Sequence, residues 1–129
     1  MSILQIKETC LYIQDIKRSI AFYNGKLEFP IIDEKENRHV FFRVGASVLL
    51  CFIAETTKKD EILPPHFGSG TQHLAFEVTP EDYEKYKEIM KDKDIAITHE
   101  HTWKEGIKSF YFEDPDGHVL EIVPRGMWD

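Results

Sequence analysis

The chain has almost no cysteine: Cys10 and Cys51 are the two in 129 residues, without CxxC spacing and without a disulfide framework. It has no long apolar run either. The longest, Ser47-Val48-Leu49-Leu50-Cys51-Phe52-Ile53-Ala54, is strand-sized and far short of the roughly 20 residues that span a bilayer. Met1 to Glu8 lack the basic start and apolar stretch of a signal peptide, so the expected location is the cytoplasm, with no membrane partner. A basic surplus is missing as well. The 16 Lys+Arg stand against 23 Asp+Glu, a net charge of −7, which offers no surface to a phosphate backbone and argues against a nucleic-acid partner. Cationic or neutral small molecules are favoured over anions as ligands. Gly68-Ser69-Gly70 lacks the lysine and following helix of a phosphate-cradling loop.

What is present suffices for a folded domain. Hydrophobic residues at 42% and charged residues at 30% are ordinary for a globular protein, and a chain of this size buries enough surface to fold without staples or metal.

Alternation along Glu8–Ile13 predicts a strand with Leu11 and Ile13 on one face and Glu8, Cys10 and Tyr12 on the other. Asp15 then caps a helix with apolar positions Ile16, Ile20, Phe22/Tyr23 and Leu27, ending near Asn24-Gly25. Strands are expected at Phe29–Asp33, His39–Val44 and Val48–Ile53, and an irregular loop from Glu55 to Thr71. The same order recurs: a strand at His73–Val78, a helix opened by Pro80-Glu81-Asp82, and strands at Ile95–Trp103, Lys108–Glu113 and Val119–Val123. The fold class read from this is α+β, one domain over residues 1–129 made of two tandem βαβββ modules. Module one covers 1–54, the loop 55–71 and module two 72–129. Four strands and one helix cover only one sheet face, so the curved mixed sheets of the two modules are expected to enclose a shared cavity.

If the helices cover the faces of Leu11, Leu74 and Leu120, alternation sends Glu8, Cys10, Tyr12, His73 and Glu121 to the opposite faces. Glu121 is the informative one, because it stands between Leu120 and Ile122 in an apolar strand where a carboxylate loses water without evident compensation. A divalent cation shared by Glu8, His73 and Glu121 supplies the compensation. Taken singly, each of these residues reads more readily as a solvated strand position than as a ligand, and it is the three falling on one face that favours the cation.

Two imidazoles lie on one face at His99-Glu100-His101, where the surrounding charge favours a solvated strand edge over a metal site. His66, after Pro64-Pro65, reads as a plain loop histidine, with a lid over the pocket as the alternative.

The repeated modules, the segment Glu8-Thr9-Cys10-Leu11-Tyr12-Ile13-Gln14-Asp15-Ile16 with Ser19-Ile20-Ala21-Phe22-Tyr23 behind it, and Phe110-Tyr111-Phe112-Glu113-Asp114-Pro115-Asp116-Gly117-His118-Val119-Leu120-Glu121-Ile122 resemble the vicinal oxygen chelate superfamily. That group includes glyoxalase I, bleomycin-resistance proteins, extradiol dioxygenases and fosfomycin thiol transferases. The resemblance implies metal ligands at Glu8, His73 and Glu121, the trio that alternation selects. Many members carry His or Gln where Glu8 stands. Glyoxalase I has a fourth ligand, and counting from the glycine turns matches Glu121 to Leu49, with Cys51 on the same face two residues on. Ser109 and Tyr111 match pocket residues of the fosfomycin enzymes, Cys10 stands where they carry Thr, and their phosphonate-binding Arg has no counterpart in the residues left after Glu121. Homodimerisation is a further implication.

Two functions follow as expectations. The first is a divalent-metal-dependent lyase, isomerase or dioxygenase of the glyoxalase type, acting on a small molecule with vicinal oxygens. Its metal (Zn, Mn, Ni or Fe(II)) serves as Lewis acid, Glu8 or Glu121 as catalytic carboxylate, and Cys10, Tyr12, Cys51, Trp103, Ser109 and Tyr111 contact substrate. The second is a metal-free protein that sequesters a cationic or aromatic compound, as bleomycin-resistance proteins do, with Phe67, Trp103 and Trp128 as groove walls. Trp128 reads equally as a docked tail and Trp103 as a packed strand end.

Overall fold

The computed structural model describes all 129 residues. They form two compact units, Met1–Gly70 and Thr71–Asp129.

In the first unit β1 (Glu8–Ile13) leads to Asp15, whose side chain accepts a hydrogen bond from the Arg18 amide at 3.1 Å and so caps α1 (Ile16–Ile20). The helix does not stop at Asn24-Gly25. It widens into a π-helical turn over Ala21–Lys26, in which the Leu27 amide reaches back to the Phe22 carbonyl at 3.0 Å. Because Glu28 then takes a left-handed φ of 62° and the Phe29 amide still bonds the Tyr23 carbonyl, the next strand starts at Ile31 and not at Phe29. β2 (Ile31–Lys35), β3 (His39–Val44) and β4 (Ser47–Ile53) complete a four-stranded sheet of order β1-β4-β3-β2, with β1 and β4 parallel. One turn of helix, α2 (Ala54–Thr57), opens the segment expected to be irregular.

The second unit repeats the plan. β5 (His73–Val78) is followed by Thr79, which caps a 3₁₀ turn by accepting the Asp82 amide at 3.2 Å, and then α3 (Tyr83–Asp92). β6 (His99–Thr102), β7 (Lys108–Glu113) and β8 (Val119–Pro124) form a sheet of order β5-β8-β7-β6. β6 is shorter than the expected Ile95–Trp103 because its first residues close the helix. The Ile95 amide bonds the Met90 carbonyl at 2.8 Å, and Ile95 itself is buried.

Each helix covers one face of its own sheet. Leu11, Ile13, Val40, Phe42, Leu49 and Cys51 lie buried with Phe22 and Tyr23, the Tyr23 ring centre 5.4 Å from that of Phe42. Phe110, Phe112, Leu120 and Ile122 lie buried with Tyr83 and Met90, the Tyr83 ring 5.5 Å from Phe110. Each such side chain contributes roughly 1.5–3 kcal/mol when fully buried, which fixes the strand registers and hence what the other faces carry. No helix is long and apolar enough to cross a membrane.

Candidate metal centre

The face of the second sheet opposite α3 is set by register. Glu121 pairs with Ala75 on one side and Tyr111 on the other, His73 with Val119, and Tyr111 and Ser109 with His99 and His101. His73, Glu121, Tyr111, Ser109, His99 and His101 therefore share that face.

The turn before β8 aligns the pair at its centre. Asp114 accepts the Asp116 and His118 amides, each at 2.9 Å, shaping the Asp-Pro-Asp-Gly turn in which Gly117 takes φ 84°. His118, 1% exposed, accepts the Gln72 amide on Nδ1 at 3.0 Å, and the Val119 amide bonds the Gln72 carbonyl at 2.9 Å. These bonds hold the start of β5 against the start of β8. His73 consequently lies across from Val119 and donates Nδ1–H to its carbonyl at 2.8 Å.

That bond determines the chemistry of the other ring nitrogen. With the proton on Nδ1, Nε2 of a neutral imidazole carries a lone pair, and it lies 3.2 Å from Glu121 Oε1. Two electron-rich atoms face each other at that distance only with a cation or a proton between them. Glu121 is 5% exposed, and its Oε2 has no hydrogen-bond partner. A buried carboxylate oxygen without a donor is costly, and a cation offsets that cost. The spacing fits as well: two ligands at about 2.1 Å from one ion, 90–110° apart, lie roughly 3.0–3.4 Å from each other. The carbonyl bond to the far nitrogen is the outer contact that metal-bound histidines commonly make. The residues present thus fit a divalent cation.

Around this pair, the Tyr111 hydroxyl is held above its ordinary pKa by burial first and by the charge of Glu121 second. Ser109 is fully buried, and its Oγ accepts the Trp103 indole N–H at 2.9 Å. Trp103, 41% exposed, lies just beyond β6 with its ring against His101. Phe67 and Trp128 are exposed, so Trp128 is not a docked tail.

In the first unit, the face opposite α1 carries Glu8, Cys10 and Tyr12 from β1, with Val48, Leu50 and Phe52 beside them. Glu8 and Cys10 are exposed. Tyr12 is covered by its own unit's loop: its hydroxyl lies 3.0 Å from His66 Nδ1, and its ring lies under Gly68, where a Cβ would approach two ring carbons at 2.9 Å. His66 is therefore more than a loop histidine. Thr57 Oγ1 donates to the His66 carbonyl at 2.7 Å, pinning the loop in that position.

Cys51 is a correction. It pairs with Leu11, is fully buried on the helix-covered face, and cannot meet a ligand on the opposite one. The register also shows that the counterpart of Glu121 is Leu50 and not Leu49, since Leu50 pairs with Cys10 as Glu121 pairs with Ala75. Counting from the glycine fails because Val44 pairs with Ser47 across a tight turn, whereas Glu113 pairs with Val119 across the longer Asp114–His118 loop.

Of the three expected ligands, the structure brings His73 and Glu121 together, and Glu8 holds the equivalent strand start in the first unit. No group of three or more His, Cys, Asp and Glu side chains able to hold a metal is assembled in this chain. Alternation flagged His73 and Glu121, but nothing in it pointed to Asp114 and His118, whose role is to align them.

The model of the Glyoxalase/Bleomycin resistance protein/Dioxygenase superfamily matches residues 5–122. The chain belongs to that superfamily. Among curated members it is 25% identical over 123 residues to metallothiol transferase FosB of Lysinibacillus sphaericus, covering 95% of this chain and 83% of that one. It is 29% identical over 115 residues to glutathione transferase FosA of Serratia marcescens, covering 87% and 74%. The solved lactoylglutathione lyase of Agrobacterium tumefaciens has a TM-score of 0.94 at 26% identity, covering 99% of this chain and 98% of that one.

Proposed function

We propose that this superfamily member is a divalent-metal-dependent enzyme acting on a small molecule with vicinal oxygens. The observation that carries the reading is the His73 Nε2 to Glu121 Oε1 approach of 3.2 Å, made by a histidine whose other nitrogen is committed to a carbonyl and a buried carboxylate with an orphaned oxygen. The names of the curated relatives, two transferases, support an enzyme and extend the reaction classes beyond lyase, isomerase and dioxygenase.

In this reading His73 and Glu121 hold the cation, and Glu8 completes the set, from this chain or from a second copy in a homodimer. The bound ion supplies Lewis-acid polarisation of the substrate's two oxygens. Of the two carboxylates, Glu8 is the exposed one and the one able to detach and take a proton, whereas Glu121 is enclosed. Tyr111 keeps its proton at neutral pH and offers its O–H as a hydrogen-bond donor to a substrate oxygen. Ser109 acts through Trp103, whose indole it fixes. Cys10, exposed two residues beyond Glu8 on the same face, contacts substrate.

Elemental analysis of protein purified without chelator, followed by native mass measurement with Zn, Mn, Ni and Fe(II), tests the reading. One bound cation per chain that is lost in the Glu121→Gln variant supports it. No cation before or after titration overturns it and leaves a metal-free binding protein.

A further inference from the structure

We propose that His99 and His101 form a second site, with ligands of its own on the same sheet face as the His73–Glu121 pair, for a borderline divalent transition metal such as Ni²⁺ or Cu²⁺. As residues two apart on β6 they project from the same sheet face, and both are exposed. Their ring centres lie 5.9 Å apart with planes inclined by 32°. Imidazole nitrogens at about 2.0–2.1 Å from one ion, 90–110° apart, put their ring centres roughly 4.5–5.2 Å apart. A small rotation of two exposed side chains therefore closes the pair onto one ion.

The surroundings hold the two rings on this side. Glu100, between them, is tied to the other face by the Tyr83 hydroxyl at 2.9 Å and by Lys87 Nζ at 2.9 Å, which anchors the strand. The His101 ring meets Trp103 edge-on at 4.5 Å, and the His99 ring lies 5.8 Å from Tyr111. Trp103 is itself fixed by its bond to Ser109. The imidazoles thus lie beside aromatic rings, in a chain whose charge of −7 attracts divalent ions. Two imidazoles with water in the remaining positions suit the metals late in the divalent series, which bind nitrogen most strongly.

The test uses the full chain carrying Glu121→Gln, stripped with chelator and titrated with Ni²⁺ by calorimetry, with the imidazole C–H proton signals followed by NMR. One Ni²⁺ is expected to bind at micromolar concentration and to broaden the His99 and His101 signals. Adding His99→Gln or His101→Gln should weaken binding at least tenfold; both residues are exposed, so the fold is not at risk. Unchanged Ni²⁺ binding in the chain lacking both histidines, or broadening confined to other histidines, overturns the proposal. Because Glu121→Gln removes the first pair, this outcome is independent of the catalytic reading.

Discussion

Glu121 faces His73 across the β5–β8 pair, with Oε1 3.2 Å from Nε2, while its Oε2 meets no donor. An ionised carboxylate in that position is a cost to the metal-free fold. Glu121→Gln keeps the shape and removes the charge, so the metal-free variant should melt no lower than the parent, which a thermal scan in chelator checks. A drop of several degrees would mean that the carboxylate stabilises the fold by itself.

The turn ahead of β8 is expected to matter more for folding than its surface position suggests. Asp114→Ala leaves the Asp116 and His118 amides without their acceptor, and His118→Ala removes the acceptor for the Gln72 amide. Each should lower stability by about 1–3 kcal/mol, read from urea midpoints. Each should also weaken divalent-cation affinity, because His73 follows Gln72 directly.

The fold was legible wherever a strand buries one face. His39–Val44, His73–Val78 and Lys108–Glu113 have the expected bounds because alternation and core packing agree there. It was less legible where a local backbone choice decided the outcome, as at the left-handed Glu28 ahead of β2 and at Ile95, which closes α3 in place of opening β6. Period-two reasoning puts His73 and Glu121 on one face, but the β5–β8 adjacency that brings them within reach of each other is not written in the alternation. The misplaced Cys51 shows the limit of counting, since two turns of unequal length shift the register by one residue and invert the face.

Gly68 should not tolerate a side chain. Its backbone is not left-handed, so the penalty is steric alone: a Cβ would press on the Tyr12 ring at 2.9 Å. Gly68→Ala should lower stability by about 1–3 kcal/mol and release the His66 contact, seen as a shift of the His66 ring signals in NMR.

Alkaline pH should expose the tyrosines. Burial first, and then the hydrogen bond donated to Glu100, hold the Tyr83 hydroxyl far above the ordinary tyrosine range. The folded pKa is raised, so stability is full below about pH 10, where the unfolded chain ionises, and is lost as pH rises further. Tyr83→Phe should make that loss shallower in urea titrations on either side of pH 10. An unchanged slope would assign the loss to other groups.

The two thiols should differ sharply. Cys10 is exposed and Cys51 fully buried, so a thiol reagent should modify one cysteine quickly in the native protein and both in denaturant.

Calorimetric titration of the chelator-stripped protein with Mn²⁺ tests the account most directly, because carboxylates hold Mn²⁺ well and a bare pair of imidazoles holds it poorly. The parent chain should bind Mn²⁺, and His73→Ala and Glu121→Gln should each bind it at least tenfold more weakly while keeping a cooperative melt. Equal affinity in parent and Glu121→Gln, or no binding by the parent, would contradict the assignment of His73 and Glu121 to a metal.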